Sequence, residues 1–190
     1  MHGVREELVE CQAASIGIPL WKVRVTAGTN DEYERQMETV LSIAKSQGID
    51  HVIFGDIFLE DLRTYRENHL AKINMKGVFP LWKMDTALLI RDFIRQQFKT
   101  IVCCTFDEHL GEEWAGREID SAFIAQLPAS VDPCGENGEY HTFCYDGPLF
   151  KKKIDITTGE KVYKPLEVKT TGSTPVQAKG FWFCDLVPKS

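Results

Sequence analysis

From residue 1 to about 128, apolar residues recur in turn at helical and at strand spacing. From about 129 to 190 that alternation gives way to glycine, proline and short β-like runs. A chain with the first grammar builds βαβ units around a parallel sheet, with right-handed crossovers. The expectation is therefore an α/β fold in two parts. Residues 1–128 form a Rossmann-like parallel sheet with helices on both faces, and residues 129–190 form a small β-rich C-terminal region.

The elements follow from local pattern. Val4, Leu8, Cys11 and Ser15 share a helical face, and Gly17 followed by Pro19 supplies the stop. Residues 20–25 alternate and predict a strand with one wetter side. Tyr33, Met37, Val40, Leu41 and Ala44 predict a second helix, closed by Gly48. Residues 51–55 are almost continuously apolar, the mark of a strand buried on both faces. Residues 59–70 read as a helix and 78–82 as a strand. Asp85 caps a helix carrying Leu89, Ile90, Phe93 and Ile94. Residues 100–106 form a further buried strand, and Ile119, Ala122, Phe123 and Leu127 mark a helix ended by Pro128. Beyond it, residues 141–145, 150–156, 161–168 and 180–186 predict strands, with residues 157–160 as a hairpin turn.

Bulk properties exclude several classes. The net charge of −6 argues against a duplex nucleic-acid binder, which needs a basic face. The run Lys151 to Lys153 reads as a solvated hairpin. No apolar stretch reaches the roughly 18 residues that span a bilayer, and the first ten residues are too charged for a secretory signal, so the cytoplasm is expected. The six cysteines contain no C-x-x-C pair, which fits reduced thiols. Cys103 and Cys104 are adjacent, and on a strand they point to opposite faces, away from any shared metal. Cys134, His141 and Cys144 are three potential ligands without a fourth, so no metal site is expected. Cys134 has no sequence-visible base, and neither a nucleophile elbow nor a Walker loop occurs.

In an open α/β sheet, ligands bind outside the carboxyl ends of the strands. That rule selects Gly55 and Asp56, residues 82–85, and residues 105–108. The most informative stretch is Asp132-Pro133-Cys134-Gly135-Glu136-Asn137-Gly138-Glu139-Tyr140-His141. Its glycines and proline force a tight, non-helical path. Glu136 and Glu139 on that path can hold Mg²⁺ or take a proton from an amine, although the stretch also reads as a polar turn entering a hairpin. Arg63 and Glu67 stand one helical turn apart and can pair, or Arg63 can clamp a phosphate or carboxylate. Gly116 and Arg117 precede a helix start that suits an anion or, equally, a capped exposed helix.

Several stretches together resemble the diphthine–ammonia ligase family. They are residues 1–8 (Met-His-Gly-Val-Arg-Glu-Glu-Leu), 52–57 (Val-Ile-Phe-Gly-Asp-Ile), 79–82 (Phe-Pro-Leu-Trp), Gly116-Arg117, and the 135–139 loop with its flank at 146–148. The order is the family's, and residues 181–186 resemble its closing strand. The resemblance implies an adenine-nucleotide α-hydrolase-like fold of the ATP pyrophosphatase type. Members activate a carboxylate as an acyl-adenylate and let ammonia displace AMP; the known substrate is diphthine on elongation factor 2.

Carried onto this chain, the resemblance makes Glu136, Glu139 and Asp56 the catalytic candidates. Arg63, Glu67, Arg117, Asn137 and His141 fall on the substrate side. His2, Gly3, Gly55, Gly135 and Gly138 fall on the nucleotide side, with Mg²⁺ accompanying ATP. Two features depart from the family pattern. That pattern opens with a strand and a Ser-Gly-Gly-Lys-Asp-Ser phosphate loop, which this sequence does not show. The residues after the acidic loop read Tyr140-His141-Thr142-Phe143, which resembles the bacterial branch; members that make diphthamide tend to carry Glu-Thr-Leu there instead.

Three functions share this fold expectation: a carboxylate–amine ligase, an adenine-nucleotide hydrolase, and a non-catalytic binding module. A protein substrate and self-association are compatible with each. Backbone N–H groups and a lysine of the phosphate loop are the main phosphate contacts in such sites. This 190-residue chain is therefore expected to bind ATP far more weakly than one carrying an upstream Ser-Gly-Gly-Lys-Asp-Ser segment. Titration calorimetry checks this, and tight Mg²⁺-dependent binding to the 190-residue chain would contradict it.

Overall fold

The computed structural model describes residues 3–25, 29–166 and 179–189. His2 lies outside them. The fold is α/β, and it forms two compact units: Leu20–Met84, and Met1–Pro19 together with Asp85–Ser190. The change in sequence grammar near residue 128 falls inside the second of these.

In the 20–84 unit, helix α2 (Asn30–Ser46) precedes strand β1 (His51–Ile53), helix α3 (Glu60–Ala71) and strand β2 (Lys76–Val78). β1 and β2 pair in parallel, His51 opposite Lys76 and Ile53 opposite Val78, as expected of a βαβ crossover. The strands are shorter than their apolar runs. Residues 79–82, read as strand, instead turn after β2, with Trp82 N–H donating to the Phe79 carbonyl at 3.2 Å. Pro80 has no N–H to give a ladder. Residues 21–25 carry no assigned strand, because the backbone ladder that defines one does not form there. β1 was expected to be buried on both faces, yet Ile53 is 71% exposed: a two-stranded sheet cannot cover both faces of its strands.

The second unit is built on β3 (Lys99–Phe106), β4 (Tyr140–Asp146), β5 (Ile156–Pro165) and β6 (Gly180–Pro188), in the order β4-β3-β6-β5. Every pairing in this sheet is antiparallel. β3 thus joins a different sheet from β1 and β2, which corrects the single parallel sheet expected from pattern. An apolar run cannot report strand direction, because burial on both faces looks the same in either arrangement. One cluster gathers Leu8, Ile101, Cys103, Cys104, Phe143, Tyr145 and Leu186, and another gathers Ile90, Val102, Leu110, Phe123 and Tyr140. Cys103 and Cys104 share the first cluster, contrary to strict alternation. A register shift between Val102 and Cys104, a β-bulge, accounts for it.

The hairpin turn expected at residues 157–160 does not form. β5 runs straight through them and pairs with β6 from Ile156–Pro188 to Pro165–Gly180, absorbing Gly159 and Glu160 as an irregularity between Thr158 and Lys161. Residues 151–155 are not a strand. Lys151 N–H donates to Ser15 O and Ile154 N–H to Tyr145 O, so the segment links the helix Glu6–Ile16 to β4. The end of the 161–168 expectation, residues 167–168, lies outside the described residues.

The remaining helices match their signals. In α4 (Thr86–Arg95) the Asp85 carboxylate accepts from Leu88 N–H at 2.9 Å. α5 (Ser121–Gln126) is capped by Asp120, which accepts from Phe123 N–H at 2.7 Å. α1 (Glu6–Ile16) ends at Gly17 in left-handed backbone, φ 84°. It packs on the antiparallel sheet: Leu8 is fully buried, Gln12 Nε2 donates to Cys144 O at 2.6 Å, and Arg5 grips Asp185 through Nε (2.9 Å) and Nη2 (2.7 Å). Truncating Leu8 leaves a cavity in that core. Leu8→Ala is expected to cost about 2–5 kcal/mol, read as a lower urea midpoint by fluorescence of Trp114 and Trp182. A cost under about 1 kcal/mol would mean that α1 only rests on the sheet.

Candidate functional site

At the end of β3 the chain meets the start of β4, Thr105 standing opposite Tyr140. The acidic loop enters here, and Phe106 N–H donates to Glu139 O at 2.9 Å. The loop is bonded mostly to itself. Asp132 Oδ1 accepts from the N–H groups of Cys134 (2.9 Å) and Glu136 (3.2 Å). Gly135 N–H donates to Asp132 O and Gly138 N–H to Gly135 O, at 2.9 and 3.0 Å. Tyr140 Oη donates to Pro133 O at 2.6 Å. Gly135 and Gly138 take φ 70° and 85°, where a side chain would be strained.

Glu139 is only 1% exposed. Its Oε1 accepts from Asp132 N–H (2.9 Å) and Asn137 Nδ2 (3.0 Å), and its Oε2 from Asn137 N–H (3.0 Å). Burial pushes the carboxyl upward, but these donors outweigh it and hold the group below the ordinary glutamate range. Glu136 is half-buried and Asn137 exposed. The neighbouring Cys134 thiol is pushed up to about 12, by burial first and then by Asp132, Glu136 and Asp85, so it is no thiolate near neutral pH.

The 20–84 unit carries its own constellation. Asp56, 8% exposed at the end of β1, is gripped by Arg66 through Nε–Oδ2 at 2.6 Å and Nη2–Oδ1 at 3.2 Å. Arg63 pairs with Glu67, Nε–Oε1 2.9 Å, as the spacing predicts. Both guanidiniums also lie on aromatic faces: Arg66 is 4.4 Å from the Phe54 ring centre, and Arg63 is 4.7 and 4.6 Å from those of Phe79 and Trp82. Phe54 stacks on Phe79 at 5.3 Å, and Trp82 meets Phe79 edge-on at 6.0 Å. Residues 52–57 and 79–82 are thus joined by an aromatic strip under two arginines of α3. Sequence reading missed Arg66 as the partner of Asp56. A carboxylate at a strand end with an arginine ten residues on, inside the next helix, was the available signal.

Other expected site residues fall as follows. Arg117 stacks 4.3 Å from the Trp114 ring centre and donates to Gln126 Oε1 at 3.1 Å. The N–H groups of Gly116, Arg117 and Ile119 donate to Val102, Trp114 and Thr100 carbonyls, so they are spent inside the protein. His141 stands opposite Cys104 on β4, half-buried. Asp107, in the 105–108 segment, is committed to β5 and β6, accepting from Tyr163 Oη (2.6 Å) and Gly180 N–H (3.0 Å).

The nucleotide-side glycines divide. A Cβ on Gly3 would stand 2.5 Å from Phe183, and one on Gly135 2.9 Å from Tyr140 O, so both serve packing. Gly55 and Gly138 have nothing within 4 Å and leave backbone open to a ligand. Among the described residues no three His, Cys, Asp or Glu side chains converge to hold a metal. Mg²⁺ binding through one carboxylate and nucleotide phosphates needs no such cage. No helix among the described residues is long and apolar enough to cross a membrane.

Fold and loop together define an α/β protein that presents a self-bonded acidic loop at the end of an antiparallel sheet. Two family models match the chain, the diphthamide synthase N-terminal domain over residues 1–77 and the diphthamide synthase C-terminal domain over residues 85–171. The chain belongs to this diphthine–ammonia ligase family. The diphthine–ammonia ligase of Danio rerio is 29% identical over 178 residues, covering 84% of this chain and 69% of that protein. That of Rattus norvegicus is 28% identical, covering 84% and 66%, and that of Schizosaccharomyces pombe 25%, covering 85% and 29%. The chain thus spans about two thirds of the vertebrate relatives' length and 29% of the yeast one. The interval between the two family models, residues 78–84, ends where the compact units part. Residues 3–19 match the N-terminal model but belong to the same compact unit as the C-terminal one.

Removing Arg66 leaves a buried carboxylate without its cation, whereas removing Arg63 loses a more exposed pair. Arg66→Ala is expected to cost about 1–3 kcal/mol, discounted from the fully buried case for partial exposure. Arg63→Ala is expected to cost about 1 kcal/mol. Urea unfolding followed through Trp82 fluorescence ranks the two, and the reverse order would contradict this account of the strip.

Proposed function

We propose that this chain is part of an ATP-dependent ligase that joins a carboxylic acid to ammonia in the cytoplasm. What supports this most is the self-bonded acidic loop of residues 132–139 in a chain of this family. The relatives' name makes diphthine, a modified side chain on a protein, the first acid to test, and His141 in the bacterial-type pattern leaves room for a different acid.

The chemistry has two halves. A carboxylate oxygen attacks the α-phosphorus of ATP and pyrophosphate leaves, giving an acyl-adenylate. Ammonia nitrogen then attacks the acyl carbon, the bond to AMP breaks, and the nitrogen sheds a proton. Glu136 is the candidate acceptor of that proton: it is half-buried, and the loop fixes its backbone. A positioned carboxylate of this kind contributes about 10²–10⁴-fold. Gly138, open above its backbone, is the candidate nucleotide contact beside the acidic loop, and Mg²⁺ would arrive on the phosphates. Arg117, stacked on an aromatic ring, is the candidate anchor for the acid.

In the chain carrying the upstream phosphate-loop segment, AMP is expected to form only when a carboxylic acid is supplied, as followed by chromatography of the nucleotides. AMP or ADP released without any acid would favour the nucleotide hydrolase instead. Glu136→Gln should lower kcat by about 10²-fold or more if Glu136 accepts the proton.

A further inference from the structure

Glu136 and Glu139 are three residues apart in one loop, and their surroundings give them different work. We infer that Glu139 is a positioning residue, a strut that orders the loop and so sets where Glu136 stands, and that it does not itself exchange protons with the reactants. The assignment of Glu136 rests on the ligase reading above. The strut itself rests on hydrogen bonds alone.

Three observations carry it. Both Glu139 oxygens are engaged, by Asp132 N–H, Asn137 N–H and Asn137 Nδ2 at 2.9–3.0 Å, in a side chain 1% exposed. A base must offer a lone pair to the substrate; this carboxylate has three of its roughly four acceptor sites filled inside the loop, and burial closes the side chain to solvent. Second, the bonds form a relay. Glu139 holds the backbone of Asp132, and the Asp132 carboxylate holds the backbone N–H of Glu136 at 3.2 Å. Third, the relay is anchored to the sheet at both ends of the loop. Phe106 N–H donates to Glu139 O, and Tyr140 Oη reaches back to Pro133 O. The lowered carboxyl of Glu139 agrees with this, since a group held ionised is a poor proton acceptor near neutral pH.

The glutamine variant is informative because it keeps the shape and reverses half the polarity. A glutamine amide nitrogen would face an N–H donor where a carboxylate oxygen stood, and at least one bond is lost. One lost bond to a charged group corresponds to about a tenfold rise in local opening. Hydrogen exchange on the 190-residue chain, with no turnover needed, should therefore show the Asp132 and Asn137 amides losing about tenfold protection in Glu139→Gln. Asn137→Ala, at an exposed position, should lower Asp132 protection by a smaller factor and serves if the first variant fails to fold. The folded carboxyl lies below its ordinary value, so the protection is present above the ordinary glutamate range. It is lost as pH falls through the lowered value. The second readout is the pH profile of the phosphate-loop-bearing enzyme. Glu139→Gln should lower kcat/KM and leave the acidic limb in place, and Glu136→Gln should abolish that limb. Unchanged protection in both Glu139→Gln and Asn137→Ala would overturn the strut, whatever the activity. An acidic limb that vanishes in Glu139→Gln with protection intact would make Glu139 the proton acceptor. A strut confirmed by exchange with the limb unmoved in Glu136→Gln would instead refute the role of Glu136 alone.

Discussion

Strand β3 sits between β4 and β6 and is buried from Thr100 through Thr105, with Val102 and Cys104 at 0% exposure. A backbone that deep must find partners for its N–H and C=O groups on both edges. Antiparallel neighbours supply them, together with the segment before α5, where Val102 N–H donates to Arg117 O and the Val102 carbonyl accepts in return from Gly116 N–H. The rest of the unit follows from that strand. Its faces nucleate two apolar clusters, α1 closes one of them through Leu8, and Phe123 of α5 fills the other. Its carboxyl end fixes the site, because Thr105 and Phe106 receive Tyr140 and Glu139.

Two buried carboxylates are handled in two ways. Glu139 is held by neutral donors from its own loop, and Asp56 is paired with a cation from the following helix. Burying an ionised carboxylate costs several kcal/mol, so either arrangement is destructive to remove by halves. The difference bears on function. A carboxylate held by backbone N–H groups stiffens the backbone that holds it, and here that backbone carries Glu136. A carboxylate held by Arg66 ties a strand end to a helix and brings an aromatic strip with it.

The helices were largely legible from local chemistry. Gly17, Asp85 and Asp120 act within a turn or two of themselves, and each does in the structure what its type and position suggest. The path of the acidic loop was legible for the same reason, since glycine and proline dictate backbone path without help from afar. The strands were less legible. Thr157 to Glu160 has good turn chemistry, yet nine residues of β6 offered a longer ladder and won. Cys103 and Cys104 follow strict alternation in the sequence, and a bulge set by the β4 register put both in one cluster.

The sequence by itself determined the α/β class, the helix ends, the family, and the loop on which Glu136 and Glu139 lie. These depend on interactions within a few residues or on recognisable order along the chain. Tertiary structure alone decided that β3 runs antiparallel, that α1 belongs with the C-terminal sheet, that Arg66 holds Asp56, and that Glu139 is consumed by its own loop. Each of those is a choice among partners distant in sequence or hidden in side-chain direction. Only the three-dimensional competition for hydrogen bonds and buried surface makes such a choice.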